Sequence, residues 1–185
     1  RVAKNPAVFD VDKLNWINGK HMRQLSDEDF MTVAVPHMEK AGFMTGEEDA
    51  AKKEWLQKVI LTAKNHVDFG AQVPQVLSMY FTDEFDFENA EAAAVLQEAT
   101  VPTVMKMLFE ELPKLSTVDG PNVKALFKKI QKTTKLGGKA VFMPIRVALT
   151  GNQHGPELAE MVPLLDIERK LKPIQGRITK AGIKF

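Results

Sequence analysis

The chain has 185 residues, 44% of them hydrophobic and 26% charged, with no cysteine, which is the composition of an ordinary globular protein. Without cysteine there is neither a disulfide framework nor a thiolate metal site, a usage that suits a reducing compartment such as the cytoplasm. The net charge of +1 conceals a segregation: every charged residue from Asn65 to Met105 is acidic, and every one from Gly120 to Pro156 is basic. Charge separated in this way either meets a polyanion or pairs within the molecule.

No apolar run approaches the roughly 20 residues that span a bilayer. The opening RVAKNPAVFD lacks the apolar core of a signal peptide and an initiator Met, and it reads as the start of a piece of a longer protein. Strand signals are scarce, and helical spacing recurs instead. SDEDFMTVAVPHMEKAG predicts a helix capped by Ser26 and ended by Gly42. EEDAAKKEWLQKVILTAKNHV predicts a second, with Trp55, Val59, Ile60 and Ala63 in one stripe. The acids and aromatics of MYFTDEFDFEN, residues 79–89, lack helical period and read as a linker.

Beyond it, NAEAAAVLQEA and PTVMKMLFEEL predict two helices, the second opened by Pro102. PNVKALFKKIQKTTKLGG has the cleanest period, with Val123, Leu126, Phe127 and Ile130 inward. Pro121 starts it, the Gly137–Gly138 pair is expected to stop it, and Lys124, Lys128, Lys132 and Lys135 form an exposed stripe. Pro144 is expected in the first turn of a short helix, with Ile145, Ala148 and Leu149 inward and Gly151 as a left-handed cap. Pro156 is expected to start the next helix, with Leu158, Met161, Val162 and Leu165 at core spacing. Trp16 and Trp55 are expected in the core.

Residues for self-contained catalysis are missing. No two of His21, His37, His66 and His154 stand at helical ligand spacing, and there is no phosphate-cradling glycine loop or nucleophile elbow. The unusual residue is Arg146, a permanent cation in the apolar run GKAVFMPIRVALTG. Beside the amides of a helix start it makes an anion or base-edge receptor. The alternative is an arginine that braces two helices through backbone carbonyls.

Two motifs then carry a resemblance. FDVDKLNWINGKHMR places Phe9, Asp10, Lys13, Leu14, Trp16, Asn18, Gly19 and Arg23 in one pattern, and PIRVALTG followed by GPEL places Pro144, Arg146, Ala148, Leu149, Thr150 and Gly151 in another. Both resemble bacterial glutamyl-tRNA synthetases, in their C-terminal anticodon-binding region, and the likeness covers essentially the whole chain. The resemblance implies an all-α fold of two consecutive helical-bundle subdomains. Residues 1–25 would connect toward a catalytic body absent from this chain, residues 26–88 form the first subdomain and residues 89–185 the second. It implies tRNA(Glu) as partner, a monomer with no membrane association, and no cofactor in this portion, ATP with magnesium belonging to the parent's catalytic domain.

By position, the resemblance puts Arg146, Gly155, Pro156 and Leu158 at the first anticodon bases, with Pro156 and Leu158 as an apolar floor. His66, with Lys64 nearby, occupies the slot of a further base reader that is often arginine. That departure leaves open whether tRNA(Gln) is also accepted. Lys124, Lys128, Lys132 and Lys135 would contact phosphates, which position RNA without reading its sequence. Asp166 stands where a glycine is usual and is expected to cap the last short helix. Two other readings are a helical protein-interaction module whose basic face docks an acidic partner, and a DNA-binding helix-turn-helix.

Overall fold

The structure is a computed structural model and describes residues 10–82 and 86–165. Phe9 of the first motif, the acids Asp83 and Glu84, and Asp166 with its expected cap lie outside the described residues. Those described form nine α-helices, with short 3₁₀ turns and no strand among them.

Helix α1 (Val11–Gln24) starts where Asp10 accepts the Lys13 amide. It turns only Gly19 and Met22 inward, so Val11, Leu14 and Ile17 remain exposed. Trp16 is 55% exposed with the Lys20 ammonium 3.9 Å from its ring centre, which corrects the expected core position: α1 is packed along one narrow face only. Helix α2 (Asp27–Lys40) is capped by Ser26, whose hydroxyl accepts the Asp29 amide at 3.0 Å. Phe30, Ala34 and Met38, four residues apart, are fully buried, and Gly42 at φ 75° follows the helix end. Helix α3 (Ala50–Thr62), capped by Asp49, buries Leu56, Val59 and Ile60.

Helix α4 (Val73–Phe81) has no counterpart in the sequence reading. Pro74 opens it, and it buries Val73, Leu77, Met79 and Tyr80. Residues 79–81 are therefore helical and packed, which moves the start of the expected linker past Phe81. The second half begins with α5 (Ala90–Val95), capped by Asn89, and α6 (Val101–Glu111), with Pro102 in its first turn.

Helix α7 (Gly120–Thr134) buries the four apolar residues its period selects. Its stop differs from the expectation. Lys135 takes the left-handed conformation at φ 57°, Gly137 caps the next helix, and Gly138 begins it. That next helix, α8 (Gly138–Thr150), is 13 residues long, so Pro144 sits in its interior rather than in its first turn. The missing proline N–H costs one helical hydrogen bond. Val141, Pro144, Ile145 and Ala148 are buried on both sides of that break, so packing holds α8 together across it. Helix α9 (Leu158–Met161) is a single turn continued as a 3₁₀ turn, with Leu158, Met161, Val162 and Leu165 buried as expected.

The core runs continuously from Met22 to Leu165. Helices α2, α3 and α4 pack on one another, α6 packs against α7 and α8, and α3 meets α9. Trp55 secures that joint. Its indole N–H donates to the Leu164 carbonyl at 2.9 Å, while its ring meets Tyr80 and Phe81 edge-on at 6.4 and 5.6 Å. Burial pushes the Tyr80 hydroxyl up to about 12. Among the described residues no helix is long and apolar enough to cross a membrane.

Candidate nucleic-acid interface

Along α7, Lys124, Lys128 and Lys132 recur every fourth residue and so share one face, and Lys135 continues the row past the helix end. All four are exposed. Lys124 pairs with Glu157 at 3.2 Å. Lys128, Lys132 and Lys135 have no ion-pair partner among the described residues. Lys128, Lys132 and Lys135 line a trough of about 370 Å³ with Gln131 and Leu136. At Lys128 the trough meets a groove of about 360 Å³ between α7 and α8, with Phe142 and Arg146 on the α8 side and Glu157 and Leu158 closing it.

Arg146 is half-buried, and its Nη1 donates to the Pro156 carbonyl at 2.8 Å. Bracing of a carbonyl, one of the two readings open from sequence, therefore holds for one guanidinium nitrogen. The side chain still lines the groove. Burial pushes the guanidinium's pKa down from its ordinary value.

The loop after α8 is held at several points. The buried Thr150 hydroxyl donates to the Arg146 carbonyl at 2.9 Å and accepts the Asn152 amide at 3.0 Å. Glu88 comes in from the start of the second half: its amide donates to the Gly151 carbonyl at 3.2 Å, and its carboxylate accepts the Gln153 amide at 2.9 Å. Gly155 has φ 143°, and a Cβ there would stand 3.4 Å from Arg146 Nη1, so backbone geometry favours glycine.

On the other side of this loop, His66, Gln72, His154, Gly155 and Pro156 line a cleft of about 300 Å³ between the halves. Burial and then the Arg146 charge push the His66 pKa down, with Glu160 opposing. The structure thus brings Arg146, Gly155, Pro156 and His66 to one loop.

Three expected roles are corrected. Lys64 is largely buried and tied to Asp27 at 2.7 Å, so its ammonium is already occupied. Pro156 is buried and Leu158 is 3% exposed, because both plug the core beneath the loop rather than forming an open floor. Pro156 precedes the helix instead of starting it, and α9 is too short to present a row of free amides. The sequence reading missed Glu88, Phe142 and Glu157, and it placed Thr150 in a motif without seeing that its hydroxyl braces the loop. Phe142, one turn before Arg146 on α8, was detectable from that spacing alone; Glu88 lies 58 residues from Arg146 and left no local signal.

The helical scaffold gathers one sign of charge beside an aromatic-edged groove, the kind of surface on which single-stranded nucleic acid can be held. The model of the anticodon binding domain matches residues 29–178, and the chain belongs to that family. It is 38% identical over 178 residues to a glutamate–tRNA ligase of Desulforamulus reducens, covering 96% of this chain and 37% of that protein. The glutamate–tRNA ligase of Bacillus subtilis is 37% identical over 176 residues, covering 95% of this chain and 36% of its own length. The chain therefore spans little more than a third of these relatives. In three dimensions it resembles a glutamate tRNA ligase from Elizabethkingia meningosepticum, with a TM-score of 0.74 at 20% identity, covering 99% of this chain and 34% of that one. A glutamate–tRNA synthetase of Elizabethkingia anophelis gives a TM-score of 0.67 at 22% identity. Over the matched third, these structures share the helical fold of this chain.

Proposed function

We propose that the chain is the anticodon-gripping portion of a glutamate–tRNA ligase, holding tRNA(Glu) while a catalytic portion outside this sequence attaches glutamate using ATP and magnesium. The observation that carries the reading is the convergence of Arg146, the braced 151–157 loop and the Lys128–Lys132–Lys135 row on one side of α7 and α8. The lysines supply phosphate contacts, and Arg146 with the loop backbone and His66 supplies contacts to unstacked bases. Lys124 shares its charge with Glu157 and contributes less. The subdomains are residues 26–88 and 89–185, working as a monomer in the cytoplasm.

Residues 1–25 connect to the catalytic body. The apolar side chains that α1 leaves exposed, Val11, Leu14, Trp16 and Ile17, support this role.

A filter-binding titration against tRNA(Glu), anticodon-swapped versions and heparin tests the proposal. Discrimination among anticodons is expected, together with a steep loss of affinity with salt. Equal binding to every polyanion would instead favour a basic protein-docking face. Replacing His66 by Arg should change preference between tRNA(Glu) and tRNAs altered at the third anticodon base, tRNA(Gln) included. An unmoved ratio removes His66 from base reading.

A further inference from the structure

The groove between α7 and α8 contains a feature that phosphate binding does not need. Phe142 is 37% exposed at its rim, among Lys124, Lys128, Gln131 and Arg146. Large aromatics on a soluble protein usually turn inward, and this one stands in a cationic groove. Its ring is held from behind: Phe127, which is 3% exposed, meets it edge-on at 5.5 Å and 75°. Gly138 gives it room, since a Cβ there would come within 3.3 Å of the Phe142 ring. The ring is thus a fixed, partly open platform.

The groove also offers hydrogen-bonding groups of both signs. Arg146 Nη1 is engaged by Pro156, and the rest of the guanidinium is a set of donors. Glu157, the one carboxylate lining the groove among the described residues, is exposed and acceptor-only, with Lys124 3.2 Å away to offset its charge. A purely electrostatic track for RNA phosphates gains nothing from an aromatic ring and is weakened by a carboxylate. An unpaired nucleobase uses both, through its π-face and through an exocyclic amine that donates to a carboxylate.

Resting on the proposed function, we infer that Phe142 is a stacking platform for one unpaired base of the bound RNA loop, and that Glu157 makes the groove favour a base bearing an exocyclic amine. Lys128 and the lysines beyond it would then take the phosphates on the flank of that nucleotide.

The test titrates the chain with a stem-loop RNA carrying the glutamate anticodon, and with versions in which each loop base in turn is removed. Phe142→Leu should weaken binding about ten-fold, equivalent to about 1.4 kcal/mol and within the range for one stacked base. Phe142→Tyr should restore affinity. Removing one particular base should cost the wild-type chain a similar factor and cost Phe142→Leu nothing further. At that position, Glu157→Gln should reduce the preference for amine-bearing bases. Circular dichroism melts confirm that each variant is folded. If Phe142→Leu binds as wild type while Arg146→Ala binds weakly, the stacking site is refuted and the loop-binding function stands. A Phe142→Leu loss that stays the same whichever base is removed also refutes stacking. If the wild-type chain prefers no RNA loop over heparin, both proposals fail.

Discussion

Arg146→Ala should lower both fold stability and RNA affinity, and the two losses can be separated. Arg146 Nη1 donates at 2.8 Å to the carbonyl of the buried Pro156, and alanine leaves that carbonyl without its donor. Hydrogen bonds to charged groups contribute ~1.5–3 kcal/mol. Because the side chain is only half-buried, water can replace part of it, and a loss of about 1–2 kcal/mol is expected. For a chain of this length each kcal/mol lowers Tm by about 2–4 °C, so a drop of roughly 2–8 °C follows. Affinity for tRNA(Glu) should fall by a further ~1–3 kcal/mol, measured well below both melting temperatures. Arg146→Lys retains a donor and the charge but not the planar fork, so it should recover more stability than affinity. A melting curve for Arg146→Ala superimposable on wild type would refute the bracing argument.

Three further outcomes follow from the same geometry. Gly70→Ala should cost about 1–3 kcal/mol in urea unfolding, because its Cβ would stand 2.7 Å from the His37 ring and 2.9 Å from Val33; an unchanged midpoint would mean that α2 yields easily there. Lys135→Gly should raise stability by up to about 1 kcal/mol by relieving the left-handed backbone, and should lower the slope of log affinity against log salt by about 1; loss of stability would contradict the strain. His66, whose pKa burial and Arg146 hold below its ordinary 6.5, is neutral in the free protein at pH 7, and phosphates nearby would raise that pKa again. RNA binding then takes up a proton, so affinity should rise as pH falls from 6.5 toward the depressed value. The stability sign is opposite: this contribution is present above 6.5 and is lost as pH falls through the folded value. His66→Gln should flatten both trends, and an identical pH profile for wild type and variant would remove His66 from the interface.

The helices with strong apolar period were legible from the sequence because period and burial are the same fact seen twice. Helix α7 buries Val123, Leu126, Phe127 and Ile130 as its spacing requires, and Ser26 caps α2 as its position suggests. Helix α4 was hidden because GAQVPQ looks like a loop, and only packing against α2 and α3 decides otherwise. The start of α8 was misplaced because a proline usually marks a first turn, whereas here buried neighbours carry the helix through it. Arg146 stood out as a lone cation in an apolar run. What occupies it did not, since the Pro156 carbonyl reaches it only after the loop folds back. Trp16 shows the converse: an aromatic at helical spacing is core only where another element lies against that face.

Glu88 has a bearing on how such a protein changes over time. One side chain from the segment joining the halves fastens the stretch that also receives Arg146. If that loop reads RNA as proposed, substitutions at Glu88 would shift it without removing Arg146, and so change which tRNAs are preferred. On that reading, selectivity would drift through the carboxylate that holds the loop as well as through the side chains proposed to touch RNA.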